Sequence, residues 1–199
     1  MGGGGAGAGE SGRLGLLGGT FDPVHIGHLV VAQDVVEALG LDRLLVVPAG
    51  RPPHREAVFP ARRRLDWVRQ AFDGDDRIVV DDLEVRRSGP SYTVDTLEEI
   101  RRRSPGELYC VIGVDQLRVL DEWRAPGRIA SLATVAVMSR DGEDPGELRD
   151  EVAVPFEVVP VTHVELSSTR IRRRLEQGRT VRYLVPEAVR PSVEAAWPG

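Results

Sequence analysis

Residues 17–29 read LGGTFDPVHIGHL. Leu17 closes a short apolar run, Arg13–Leu17, and two glycines follow it. A strand running into Gly18-Gly19 can turn tightly, with no side chain in the way and with backbone N–H groups aimed at an anion. His25 and His28 come next, at i and i+3, near the start of a helix expected over His28–Leu39. That spacing puts both imidazoles on one face, about 5–6 Å apart. Gly27 lets a ligand approach the backbone, and the helix N-terminus adds a partial positive charge. Alone, the glycine pair is an ordinary strand-to-helix turn, and a histidine pair near a helix start is a pair of capping or core groups. Here they coincide, in a chain with only 4 histidines. The combination suits a polyphosphate.

Outward from this stretch, strand and helix signals alternate. Arg43–Val47 is a second strand, stopped by Pro48, and the Pro-rich loop AGRPPHREAVFP follows. Ala61–Phe72 has helical periodicity, Arg77–Val85 reads as a third strand, and Thr93–Arg103 as a helix with Thr93 or Ser91 at its N-cap. Glu107–Ile112, Ala133–Met138 and Pro155–Val159 supply three further strands, with an acidic Gly/Pro loop at Asp141–Pro145. Ser168–Glu176 is a helix, and a short helix follows Pro186. This order predicts an α/β fold: a Rossmann-like, doubly wound parallel sheet of about six strands with helices on both faces. Ligands then bind beyond the carboxyl ends of the strands. The first dozen residues, MGGGGAGAGESG, read as a flexible tail from a start codon placed too early, without the basic start or apolar middle of a signal peptide. Residues 13–199 read as one domain with a small C-terminal helical part.

The 199 residues carry 41% hydrophobic and 29% charged side chains, as in a globular protein. Net charge is −5, and all 26 basic residues are arginine. The acidic balance argues against nucleic acid held by a broad basic surface, and no apolar run reaches membrane-spanning length. The single cysteine, Cys110, lies in the apolar run LYCVIG and reads as a buried small hydrophobe in a reducing compartment, so the expected location is cytoplasmic. Leu166–Arg172, LSSTRIR, opens a helix with three hydroxyl residues. They can cap it; they can also bind phosphate oxygens, with Arg172 one turn on. The arginine runs at 62–64, 101–103 and 172–174 read mostly as solvated helix surface, and only the last has a phosphate argument.

GGTFDPVHIGHL followed late by SSTRIR resembles the H-x-G-H nucleotidyltransferases, small relatives of the class I aminoacyl-tRNA synthetases that share the HIGH box without the tRNA apparatus. Pro52-Pro53-His54-Arg55 resembles P-P-H-K, and Ser91–Leu97 resembles S-Y-T-x-D-T-L. Gly113, Asp115, Leu117, Leu120 and Trp123 fit G-x-D-x-L-x-x-L-x-x-W. Tyr183–Pro186 resembles Y-L-V-P. Together, from about Arg13 to Val189, these are similar to the bacterial nicotinate-nucleotide adenylyltransferases. The resemblance implies that ATP and nicotinate mononucleotide give nicotinate adenine dinucleotide and pyrophosphate, as a step of NAD biosynthesis, with Mg2+ carried mainly by phosphates and water. It implies His28 and His25 as catalytic donors to the ATP phosphates. Gly18, Gly19, Thr20, Phe21, Asp115, Ser167, Ser168, Thr169 and Arg172 would join them at ATP, Asp115 through ribose hydroxyls. His54, Arg55, Tyr92, Thr93 and Trp123 would hold the mononucleotide, Trp123 by stacking on the pyridine ring. Asp22 is expected to shape the turn. Arg55 stands where the family usually has lysine. Two other readings stay open: another adenylyl- or cytidylyltransferase of the superfamily, taking nicotinamide mononucleotide or phosphopantetheine, and a non-catalytic nucleotide-binding module. Whether the chain forms a homo-oligomer is also open.

Overall fold

Six strands run parallel in one sheet: β1 (Arg13–Gly19), β2 (Arg43–Pro48), β3 (Ile78–Val80), β4 (Glu107–Gly113), β5 (Thr134–Ser139) and β6 (Phe156–Pro160). Their spatial order is β3-β2-β1-β4-β5-β6, so the sequence direction reverses between β1 and β4. The computed structural model describes residues 12–54, 56–139 and 144–197. The expected tail, apart from Gly12, lies outside these residues, as do Arg55 and all but the last two residues of the acidic loop Asp141–Pro145.

The helices are α1 (Ile26–Ala38), α2 (Ala61–Ala71), α3 (Leu83–Arg86), α4 (Thr93–Arg103), α5 (Val114–Leu117), α6 (Pro126–Leu132), α7 (Ser168–Glu176) and α8 (Arg190–Ala196). Strand side chains alternate between two apolar layers, as a pleated sheet buried on both faces requires. Leu17, Val46 and Val111 point to one layer, against Val35 of α1, Trp67 of α2, Ile171 of α7 and Val193 of α8. Leu16, Val47 and Ile112 point to the other, against Leu97 of α4, Leu117 of α5 and Ile129 of α6. Each such fully buried aliphatic side chain stabilises the fold by roughly 1.5–3 kcal/mol. Cys110 is buried in the second layer, and burial pushes its thiol up to about 12. No helix among the described residues is long and apolar enough to cross a membrane.

The parallel doubly wound sheet is the expected one, but two local expectations are corrected. The third strand is not Arg77–Val85: β3 stops at Val80 and α3 follows. The Asp81 carboxylate accepts the Leu83 N–H at 2.9 Å, which turns the chain where the apolar pattern would continue it. Neither Ser91 nor Thr93 caps α4. The N-cap is Tyr92, without a side-chain cap bond. The Ser91 hydroxyl instead accepts the N–H groups of Gly50, at 2.9 Å, and Arg51, at 3.2 Å. The arginine runs are mostly at the surface, as expected, with some members bound to the main chain. Arg64 is 1% exposed and donates to the backbone carbonyls of Phe59, Thr20, Ala49 and Gly50 at 2.5–3.2 Å. Arg101 of α4 donates to the carbonyls of Leu132 and Gly106, tying that helix to α6 and the approach to β4.

Gly50 shows how closely this region packs: a Cβ there would lie 2.1 Å from the Glu84 carbonyl oxygen, so α3 can approach the loop only against glycine. Replacing Arg64 by alanine leaves several buried carbonyls without a donor. Arg64→Ala is expected to lower unfolding stability by about 3 kcal/mol, read as a lower urea midpoint at unchanged slope; an unchanged midpoint would contradict the packing just described.

Candidate active site

β1 is an inner strand at the reversal of strand order, and its carboxyl end is the Gly18-Gly19 turn. After Thr20 the chain enters the left-handed region at Phe21 (φ 50°), and the Asp22–Pro23 peptide is cis. Asp22 does shape the turn. It is 5% exposed, and its carboxylate accepts the N–H groups of Val58, at 2.8 Å, and Phe59, at 3.0 Å. The Pro-rich loop is thus tied to the glycine turn from one side by Asp22 and from the other by Arg64.

His25 is the N-cap residue of α1, in extended backbone, and His28 lies in its first turn. The two rings stack with centroids 3.7 Å apart, and the Phe21 ring meets His28 edge-on at 4.9 Å. Gly27 makes this possible: a Cβ there would sit 3.1 Å from His25 Nδ1. His28 Nδ1 accepts the His25 backbone N–H at 3.1 Å. In a neutral imidazole that leaves the proton on Nε2, so His28 presents a donor. Burial lowers the His25 pKa from 6.5 to about 4. Burial, with neighbouring His25, holds His28 well below its ordinary value. Both rings are therefore neutral at pH 7 in the free protein. His25 Nδ1 is buried with no hydrogen-bond partner among the described residues, which makes it the orphaned polar atom of this site.

The SSTRIR segment docks on the same turn. Ser168 Oγ donates to the Pro23 carbonyl at 2.8 Å, and Arg172 donates to the Asp22 carbonyl at 2.6 Å. Ser167 is the N-cap of α7, accepting the Arg170 N–H at 3.2 Å, and Thr169 Oγ1 accepts from Arg172 at 3.2 Å. These hydroxyls thus already have protein partners, and Ser167 also takes the Arg170 N–H, which leaves the Ser168 and Thr169 N–H groups at the start of α7 for an anion.

On the other side of the turn lies a cleft of about 400 Å³. Gly18, Gly19 and Thr20 form one wall, His54 and the Pro-rich loop another, and Tyr92, Thr93 and Trp123 a third. The glycine turn therefore lines the cleft, and Phe21, immediately after Thr20, meets the histidine pair. Two expected site residues fall outside this arrangement as described. Arg55 lies outside the described residues. Asp115 does not line the cleft; its carboxyl side chain is 92% exposed and meets Arg118 at 3.6 Å.

Three polar cleft residues were not singled out from the sequence: Glu84, Gln116 and Arg124. Glu84 is 7% exposed, its pKa is raised by burial, and it accepts from Thr96 Oγ1 at 2.5 Å. Its stretch reads as a strand, so nothing local marks it. Gln116 is held by the Gly113 N–H on its Oε1 at 3.0 Å. Arg124 follows Trp123 directly, and that adjacency was the available signal.

The Cytidylyltransferase-like family model matches residues 16–174. A probable nicotinate-nucleotide adenylyltransferase from Thermus thermophilus is 45% identical over 183 residues, covering 92% of this chain and 96% of its own. One from Gemmatimonas aurantiaca is 43% identical over 184 residues, covering 89% of this chain and 87% of its own. Among solved structures, Plasmodium falciparum nicotinic acid mononucleotide adenylyltransferase complexed with NaAD aligns with a TM-score of 0.77 over 92% of this chain and 94% of that one; at 14% identity, this is a likeness of fold. Identity of this degree, sustained over nearly the full length of both chains, gives one assignment: the chain belongs to the nicotinate-nucleotide adenylyltransferase family, within the cytidylyltransferase-like proteins.

Proposed function

We propose that this protein transfers the adenylyl group of ATP to nicotinate mononucleotide, forming nicotinate adenine dinucleotide and releasing pyrophosphate, in NAD biosynthesis. The observation that supports this reading is the continuity of one turn: Gly18–Thr20 line the aromatic cleft, and the next residues, Phe21–Pro23, meet His28, Ser168 and Arg172. A phosphate oxygen of the mononucleotide attacks the α-phosphorus of ATP. The new P–O bond forms as the bond to the β-phosphate oxygen breaks, and pyrophosphate carries the electron pair away. The nucleophile is already ionised at neutral pH, so no general base is needed. Catalysis is placement plus stabilisation of charge.

His28 Nε2–H is the donor to the α-phosphate, and the orphaned His25 nitrogen faces the same polyanion. A bound triphosphate raises both histidine pKa values, because a nearby anion favours the charged imidazole. Thr20 and the turn's backbone N–H groups hold the phosphates. Ser167, Ser168, Thr169 and Arg172 hold the leaving pyrophosphate, chiefly through the α7 N-terminus and the remaining donors of Arg172. These donors fit magnesium that arrives with the nucleotide: they suit phosphate oxygens, and among the described residues no three His, Cys, Asp or Glu side chains gather as a cage. Phosphates and water would hold the ion, with Thr20 and the histidines holding the phosphates, and it would supply charge neutralisation. In the cleft, Trp123 stacks on the pyridine ring, while Tyr92, Thr93, His54 and Arg55 bind the mononucleotide. Asp115, exposed at the start of α5, accepts from ribose hydroxyls.

Purified protein with MgATP and, in turn, nicotinate mononucleotide, nicotinamide mononucleotide and phosphopantetheine should release pyrophosphate fastest with the first; equal or faster release with another acceptor would overturn the reading. His28→Ala should cut kcat by roughly 10²–10³ while the KM for ATP moves little. A wild-type rate in that variant would remove the α-phosphate role. His25 also links stability to pH. Its folded pKa, about 4, lies below the ordinary 6.5, so the unfolded chain takes the proton first as pH falls. The stability difference is fully present above pH 6.5 and is lost towards pH 4, by about 3 kcal/mol for this group alone. Urea midpoints at pH 7.5 and 4.5 should show that loss, and His25→Gln should reduce it.

A further inference from the structure

We propose that Glu84 is a positioning residue for the acceptor: its carboxylate locks the start of the Pro-rich loop to the start of α4 and so sets the width of the cleft. The inference rests on the proposed function, which puts the mononucleotide in that cleft and leaves Glu84 without a task. One wall of the cleft is Pro52-Pro53-His54, and the facing wall includes Tyr92 and Thr93. Between them lies Glu84, 7% exposed, the one carboxylate among the described residues lining the cleft. A buried carboxylate is costly, and it repels an anionic ligand, unless donors answer its lone pairs.

Two hydroxyls answer them, each with its direction fixed. Thr96 Oγ1, fully buried in α4, donates to Glu84 at 2.5 Å and accepts from Arg87 at 2.9 Å. The Ser91 hydroxyl accepts the N–H groups of Gly50 and Arg51, so both its lone pairs are taken and its own proton goes to Glu84. The Ser91 N–H returns a bond to the Arg51 carbonyl at 2.8 Å. Pro52 follows directly from Arg51, and Tyr92 directly from Ser91. Both walls therefore hang from Ser91, and Glu84 holds the Ser91 hydroxyl in the one rotation that serves Gly50 and Arg51. Glutamine at this position has a single oxygen for two hydroxyl protons. Its NH2 group then meets a hydroxyl whose lone pairs are already engaged, and one of the two bonds is lost.

The test is steady-state kinetics with MgATP and nicotinate mononucleotide, each varied at saturating levels of the other, for the unmodified enzyme, Glu84→Gln, Ser91→Ala and the double variant. Glu84→Gln should raise the KM for the mononucleotide about tenfold and leave kcat and the ATP KM within about twofold. Ser91→Ala should do the same; Ser91 is only half-buried, so this variant reads the same joint should Glu84→Gln not fold. The double variant should stay near about tenfold, because the two residues act through one bond, whereas independent effects would multiply to about a hundredfold. A multiplied effect, equal rises in the KM of both substrates, or a lower urea midpoint with an unchanged mononucleotide KM would overturn the proposal while leaving the function intact. An unmodified enzyme that does not use nicotinate mononucleotide would overturn both.

Discussion

Arg64 sits on α2, 44 residues beyond Thr20 in the chain, yet it donates to the Thr20 carbonyl from a position that is 1% exposed. Its other carbonyl partners are at both ends of the Pro-rich loop: Ala49 and Gly50 where the loop leaves β2, and Phe59 where it enters α2. Asp22 works from the opposite side, accepting the N–H groups of Val58 and Phe59. A buried arginine and a buried aspartate thus hold two irregular segments by their main chains. Burying such charges is costly unless hydrogen bonds replace water, and backbone groups supply those bonds here. The working end of the sheet leans on this lock: besides it, the glycine turn and the start of the loop are joined by the Ala49 N–H on the Gly19 carbonyl at 2.8 Å.

Once the turn is fixed, its chemistry follows from desolvation. The stacked imidazoles are too close and too buried to be charged in the free protein. They form a neutral donor pair with an unanswered nitrogen, beside a helix N-terminus and a second helix docked by Ser168 and Arg172. Such a site gains most from a polyanion, because the ligand both fills the missing hydrogen bonds and reverses the cost of protonation. The cleft across the turn has the opposite character, aromatic and partly apolar, with charge confined to its wall. The two halves suit the two ends of an adenylyl transfer between phosphates, and the glycines put no side chain into the cleft they line.

Much of this was legible in the chain itself. Alternating strand and helix signals gave the sheet class, and α7 has the bounds read for it, Ser168–Glu176, because a hydroxyl N-cap and a clean periodicity are both local. The motif HIGH and the SSTRIR segment, read together from the sequence, meet at one turn, and Tyr92 and Thr93 of SYTVDTL line the cleft with Trp123. What stayed hidden has a common cause. Ser91 looked like a cap until Gly50 and Arg51, some 40 residues away, turned out to hold its hydroxyl. Nothing in a run read as mostly solvated set Arg64 apart until distant carbonyls claimed it, and the stretch 77–85 looked like one strand until Asp81 bent it and Gly50 let α3 close in. Periodicity, and a cap such as Ser167 whose partner lies three residues on, are set by neighbours within a turn or two, so sequence determines them. Which polar groups pair across the fold depends on where the sheet brings distant backbone together, and only the tertiary structure decides that.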